Sequence, residues 1–169
     1  MKELLWSIFA FIVSRKPIAN YLIRRAARTP YYDLPGYMNR TWLFNPYGKD
    51  ADGNTLPPKY PNLPSARVHH ILRRDFDDHP HDHPWDARSV ILREGYVERD
   101  EYGNVEIRTR GDTFPIKFEQ YHRITYVPDG GVWTLFLTWK YQGMWGFLVD
   151  GVKVPWREYF KLHPERGNG

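Results

Sequence analysis

The hydrophobic pattern divides the chain into a helical start and a long series of short strands. Residues 4–13 read LLWSIFAFIV, an almost unbroken apolar run. Pro17 lacks an amide hydrogen and disfavours helix in the residues before it, yet it suits the first turn of a new helix. We therefore predict two helices, one that ends before Arg15 and a second that begins at Pro17 and runs through Ala27.

From Tyr37 onward the chain reads as short strands separated by turns. Residues 66–74 alternate, with Val68 on one face and His69 and Ile71 on the other. Residues 88–98 read as one strand, residues 100–104 as a hairpin turn, and residues 156–162 as a short closing helix. Eight to ten strands in succession, with no helix between them, favour an antiparallel sandwich or barrel.

The predicted fold is therefore all-β, with a barrel domain over residues 31–169 and a helical N-terminal segment, residues 1–30, packed on or beside it. The apolar run is too short to span a bilayer, which takes about 20 residues. Glu3 and the lack of a small-residue cleavage site argue against a signal peptide. A buried or partner-facing helix is the favoured interpretation. An interfacial anchor helped by nearby arginines is the alternative, but we expect no membrane contact.

The composition limits which side chains can bind a metal and which classes of function the chain can have. The 169 residues include no cysteine, so histidine and carboxylate side chains must hold any transition metal. The formal charge of +4 is spread along the chain and indicates no specific nucleic-acid binding. The sequence shows no phosphate-binding glycine loop and no GxSxG or HExxH motif. A reducing cytoplasm fits the absence of cysteine.

The histidines form the strongest candidate site. Five of the seven lie between residues 69 and 83, and His81 and His83 alternate. Alternate residues of an extended strand point to one face, so these two imidazoles can bind one ion. Taken alone, the pair is equally compatible with a solvated histidine-rich turn.

The spacing around this pair resembles the two signature segments of the cupin superfamily. The first runs from His81 and His83 to Gly95, and the second from Gly111 to His122. The resemblance implies a jelly-roll barrel of the RmlC-like type, with His122 as the third metal ligand. Arg88 occupies the position of the family's acidic ligand. Asp75 replaces the leading glycine of the first segment.

The chain is still more similar to cupin-like proteins common in phage and bacterial genomes. The shared stretches are a YMxRxWL strand at residues 37–43, HDHPW at residues 81–85 and a late region over residues 122–147. No established activity comes with that similarity.

The predicted site is one divalent transition-metal ion held by His81, His83 and His122. Iron is the first choice, with manganese, nickel, copper and zinc as alternatives. Asp82, Asp86 and Glu119 are the nearest carboxylates that could add a ligand, although Asp82 should point away from its neighbours' face.

Arg88 is the predicted catalytic residue, because an inward guanidinium could hold an anionic substrate. The alternative is a one-residue shift that turns it to solvent. Residues that could line the pocket or support the ligands are His70, His79, Asp86, Glu119 and Tyr121. A hydrogen-bonded core position is the alternative for His70, and an exposed one for His79.

Three function classes remain open. The first is a three-histidine metal-dependent oxygenase acting on a small, anionic molecule. The second is a metal-dependent isomerase, epimerase or lyase acting on a sugar or nucleotide-linked sugar. The third is a non-catalytic ligand-binding or assembly protein with a structural metal, whose N-terminal helix docks a partner. Exposed strand edges also indicate a homodimer.

Overall fold

The computed structural model describes residues 1–31, 34–48, 50–51 and 55–164. The elements in chain order are α1 (Lys2–Val13), α2 (Lys16–Ala26), β1 (Met38–Phe44), β2 (Ser65–Ile71), β3 (Trp85–Arg93), β4 (Tyr96–Asp100), β5 (Val105–Arg108), β6 (Thr113–Ile116), β7 (His122–Tyr126), β8 (Val132–Tyr141), β9 (Gly146–Val149), β10 (Val152–Pro155) and α3 (Trp156–Leu162). These strands pair in antiparallel fashion. The predicted all-β class with N-terminal helices is confirmed.

The strands form two facing layers. One is a five-stranded sheet in the order β1-β2-β8-β3-β6. The other contains β5-β4-β7 and β10-β9, which His81 joins by bridges to His122 of β7 and Phe147 of β9. Apolar side chains from both layers meet between them and fill the barrel interior: Ile71, Ala87, Ile91, Tyr96, Phe114, Ile116, Ile124, Val132 and Phe136.

The N-terminal helices cover the outer face of the five-stranded sheet. A second apolar cluster lies there, built from Ala10, Val13, Ala19, Ala26, Ala66, Val68, Val90, Leu92, Leu135 and Leu137. The five-stranded sheet is therefore buried on both faces. In strand β3, which lies between β8 and β6, six consecutive residues from Ala87 to Leu92 are buried.

The two helices meet where the sequence predicts. α1 ends at Val13 and α2 begins at Lys16, with Pro17 in its first turn. Only one side of α1 packs on the barrel. Leu4, Leu5 and Phe11 are 65%, 62% and 58% exposed. No helix in the described residues is long and apolar enough to cross a membrane.

The prediction of one strand over residues 88–98 is wrong. β3 ends at Arg93, and the chain turns at Glu94, whose φ is 57°, before β4 starts in the opposite layer. A Cβ atom on Gly95 would lie 2.2 Å from the carbonyl oxygen of Arg108, so only glycine fits at this change of layer. Gly111 has a φ of 95°, a conformation that also favours glycine. Both glycines of the signature spacing thus have a backbone role.

Asp82 anchors the segment that carries the two alternating histidines. Its side chain is fully buried and accepts hydrogen bonds from the amide of Gly146 at 2.7 Å and from Nζ of Lys153 at 2.6 Å. Its own amide donates to the carbonyl oxygen of Gly146 at 3.1 Å. Asp82 therefore fastens this segment to β9 and β10, and it points away from its neighbours, as predicted.

We expect Asp82→Asn to lower the free energy of unfolding by about 2 kcal/mol, because it removes the charge that balances a partly buried lysine. Urea unfolding followed by circular dichroism measures the change. Asp150→Asn is the matched control, since Asp150 is exposed in the β9–β10 turn. Equal stability of the two variants would contradict an anchoring role for Asp82.

Candidate metal centre

Three histidine side chains converge at one end of the barrel interior. His81 and His122 lie opposite each other and exchange both backbone hydrogen bonds, at 2.9 and 3.0 Å. His83 reaches the same point because it is two residues from His81. One nitrogen from each ring lies within 4.8 Å of the other two, and all three residues are partly buried.

The spacing of these nitrogens fits one metal ion. Nε2 of His83 and Nε2 of His122 are 3.0 Å apart. An ion about 2.1 Å from each nitrogen places neighbouring ligands about 3.0 Å apart when the angle at the ion is about 90°. Within the described part of the chain, this ligand group contains only histidines. Three neutral imidazoles suit iron, manganese, nickel, copper or zinc and leave further coordination positions open.

A buried carboxylate orients His122. Oε2 of Glu98 lies 2.7 Å from Nδ1 of His122, and its Oε1 accepts a hydrogen bond from Nε of Arg108 at 2.6 Å. Burial raises the pKa of Glu98, but the hydrogen bonds and charges of His122 and Arg108 outweigh burial and lower it overall. The ionised carboxylate thus favours a proton on Nδ1 and leaves Nε2 free to bind a metal.

A second carboxylate lies behind His81. Oδ2 of Asp75 is 3.7 Å from Nδ1 of His81 and accepts a hydrogen bond from the amide of Ile124 at 2.8 Å. The hydroxyl of Tyr37 donates to the other oxygen of Asp75. The residue in the position of the signature's leading glycine therefore supports a candidate ligand.

Burial keeps His81 and His83 in the form that binds metals. It lowers the pKa of His81, although the charge of Asp75 acts in the opposite direction. It also lowers the pKa of His83 well below its usual value, and the charges of His122, His81 and Arg67 add to the effect. A neutral imidazole has the free lone pair that a metal ligand needs.

Aromatic rings surround the triad. The ring of His83 lies 5.7 Å from Trp85 and 5.6 Å from Phe136, measured between ring centroids. His81 lies 6.2 Å from Trp145 and 6.1 Å from Phe147. The space beside the ligands is thus bordered largely by apolar surface.

The structure corrects the predicted role of Arg88. Its side chain lies on the helix side of β3, where Nη2 donates to both carboxylate oxygens of Glu3 at 2.8 and 3.0 Å. Its guanidinium carbon is 4.7 Å from the ring of Trp6. The inward orientation was wrong because β3 presents the opposite set of alternate residues to the interior. The alternative was also incomplete, since Arg88 is 5% exposed and faces α1, not solvent.

The other predicted pocket residues do not join the ligand group. His70 stacks on Trp133 at 3.9 Å, and its Nε2 lies 2.9 Å from the carbonyl oxygen of Gly130. Nδ1 of His79 contacts the hydroxyl of Tyr159 at 2.9 Å.

The predicted carboxylates and Tyr121 also have other partners. Asp86 accepts a hydrogen bond from the amide of Phe118 at 3.0 Å. Glu119 lies 3.8 Å from Nζ of Lys153. Tyr121 is buried, and its amide donates to Glu101 at 3.0 Å.

Sequence reasoning missed Glu98 and Arg108 as supporting residues. One signal was available, because Glu98 is two residues from Tyr96 in a predicted strand and therefore shares the face of a large aromatic residue. That pattern marks Glu98 as an acid facing the interior. It does not identify His122 as its partner, which depends on the pairing of β4 with β7.

We expect Glu98→Gln to weaken metal binding about 10- to 100-fold, since the neutral amide no longer favours the required proton position on His122. Competition with a chromophoric chelator measures the affinity. Glu106→Gln is the matched control, because Glu106 also approaches Arg108, at 3.6 Å, but lies on the exposed strand β5. Equal affinities for the two variants would show that Glu98 does not tune the site.

No protein-family model and no curated protein matches the chain. Solved structures do match it. A cupin-like protein from Thermotoga maritima is 18% identical, with 75% of this chain and 84% of that chain covered and a TM-score of 0.48. KdgF from a Halomonas species is 14% identical, with coverages of 64% and 85% and a TM-score of 0.45. An RmlC-like cupin from Shewanella frigidimarina is 16% identical, with coverages of 66% and 85% and a TM-score of 0.44.

The chain's own features are the stronger evidence: two facing antiparallel layers, and a histidine triad with the predicted spacing. They agree with the cupin-type fold that the signature spacing implies.

Proposed function

We propose that the chain is a metal-dependent enzyme of the oxygenase type, which binds one divalent transition metal, iron in the first instance, and acts on a small anionic molecule. The convergence of His81, His83 and His122 carries this proposal. A redox-active ion at such a site offers open positions for a substrate and for dioxygen. The protein holds the ligands in place and surrounds them with apolar rings.

The state of the nearby carboxylates favours oxygenase chemistry over isomerase or epimerase chemistry. Isomerases and epimerases move protons and need an acid–base group that is free beside the substrate. Glu98 is engaged by His122 and Arg108. Asp75 is engaged by Tyr37 and Ile124, and Asp82 by Gly146 and Lys153. These three carboxylates therefore support the ligands or the fold. The proposed reaction then depends on the metal ion and needs none of them as an acid–base group.

The sequence-based alternatives are a sugar isomerase and a non-catalytic protein with a structural metal. The exposed apolar side of α1 is the observation that favours the second of these. The homodimer and the cytoplasmic location both stay predictions.

We expect untagged protein, purified without chelators, to contain close to one transition-metal ion per chain. His81→Ala and His122→Ala should each remove most of that metal and leave a folded barrel, because two imidazoles hold an ion much more weakly than three. Elemental mass spectrometry measures the metal, and circular dichroism the fold. His70→Ala is the control, since His70 lies in the same cluster but outside the triad. Full metal content in both triad variants would overturn the site.

We expect protein loaded with Fe(II) to consume oxygen faster when the right small carboxylic acid is added, and protein loaded with Zn(II) to show no such response. An oxygen electrode and a panel of short and aromatic carboxylic acids provide the test. Zinc occupies the same ligands without redox chemistry, so it separates catalysis from binding. Metal-dependent sugar isomerisation without oxygen uptake would instead favour the isomerase alternative.

A further inference from the structure

Arg67 is a buried cation in the barrel interior. On β2, Ala66 and Val68 pack against the helix-side cluster, so Arg67 faces the interior, where it pairs across the sheet with Phe136. Arg67 is 3% exposed, and its Nε has no hydrogen-bond partner. Within the described residues it forms no ion pair with a carboxylate.

Five aromatic rings surround this guanidinium. The distances from its central carbon to the ring centroids are 5.2 Å for Trp85, 5.3 Å for Trp42, 5.5 Å for Tyr47, 5.5 Å for Phe136 and 5.8 Å for Tyr31. Two of these rings, Trp85 and Phe136, also contact the ligand His83. The same two rings therefore border both the Arg67 guanidinium and the candidate metal site.

Two further polar groups on the same inner face lack partners. Nε2 of His69 and Oγ1 of Thr138 are buried without a hydrogen bond. His69 is two residues from Arg67 on β2, and Thr138 is two residues from Phe136 on β8, so all of them face the interior. Buried polar atoms are nearly always paired in folded proteins. Three unpaired atoms on one patch point to a polar ligand.

Arg88, the other buried arginine of this sheet, has a carboxylate as its counterion. It lies on the same five-stranded sheet and is similarly buried, yet its guanidinium binds Glu3. Arg67 faces aromatic rings, and no carboxylate among the described residues pairs with it. Aromatic rings attract a cation but do not accept its fork of hydrogen bonds as a carboxylate does.

We propose that Arg67 is the anion-recognition residue of the substrate pocket and takes the carboxylate of a small monocarboxylic acid, whose other end reaches the histidine triad. A planar guanidinium matches the two oxygens of a carboxylate. The aromatic surroundings favour a singly charged group over phosphate, which loses more hydration on burial. Trp85 and Phe136 each lie beside both Arg67 and His83. A molecule of few carbon atoms is therefore long enough to reach from Arg67 to the triad. The contact of the molecule's other end with the histidine triad rests on the proposed function, whereas carboxylate binding by Arg67 does not.

Isothermal titration calorimetry on the full chain tests the proposal, with acetate, propionate and benzoate as probes and inorganic phosphate for comparison. Each titration is run on metal-free and on Zn(II)-loaded protein. We expect saturable binding of at least one carboxylate to both forms, and weaker binding of phosphate. Binding to the metal-free form separates this site from the metal site, so a failure of the proposed function leaves the result interpretable.

Three variants complete the test. Arg67→Met should weaken carboxylate binding about tenfold or more, with unchanged metal content and an unchanged or higher melting temperature. Arg67→Lys, which keeps the charge but lacks the fork, should bind with intermediate affinity. Arg88→Met is the matched control and should bind as wild type.

Two results would overturn the assignment. The first is the absence of carboxylate binding to the wild-type chain. The second is wild-type affinity in Arg67→Met. A large drop in melting temperature for Arg67→Met, reversed in Arg67→Lys without any carboxylate binding, would also overturn it, because Arg67 would then be a packing cation.

Discussion

Backbone hydrogen bonds on both sides of His81 hold the second layer of the barrel together. His81 exchanges two bonds with His122 of β7, and the amide of Leu148 in β9 donates to the carbonyl oxygen of Pro80 at 2.8 Å. Buried Asp82 adds side-chain bonds to β9 and β10. Without this segment, β5-β4-β7 and β10-β9 would be separate sheets. The same bonds place two of the three candidate ligands directly opposite each other, so folding of this layer also builds the metal site.

The carboxylates around the triad divide into supports for the ligands and supports for the fold. Glu98 orients His122, Asp75 lies behind His81, and Asp82 fastens the segment that carries His81 and His83. All three are at least nine-tenths buried and have hydrogen-bond donors within reach. Such outer groups fix the direction of an imidazole before any ion arrives, which raises affinity by removing freedom that binding would otherwise cost.

Two buried arginines on one sheet differ in how their charge is balanced. Arg88 binds a carboxylate that reaches over from α1 and so links the helical segment to the barrel. Five aromatic rings surround Arg67, and it forms no ion pair within the part of the chain that the structure describes. Burial of an unpaired charge costs several kcal/mol, and a desolvated cation–aromatic contact returns about 2 kcal/mol. A chain that keeps such a group beside a candidate metal site accepts lower stability there, which is typical of functional sites.

The sequence by itself determined the local features. Alternation put the imidazoles of His81 and His83 on one face, Pro17 divided the N-terminal helices, and the resemblance to the cupin signature segments implied His122 as the third ligand. The tertiary structure decided which arginine faces the interior. Helices cover one face of β3 and the barrel interior covers the other, so its residues are buried without alternation and their pattern could not show which face Arg88 occupies. The partner of Glu98 was likewise beyond the sequence, because the contact joins residues 24 positions apart through strand pairing that no local pattern encodes.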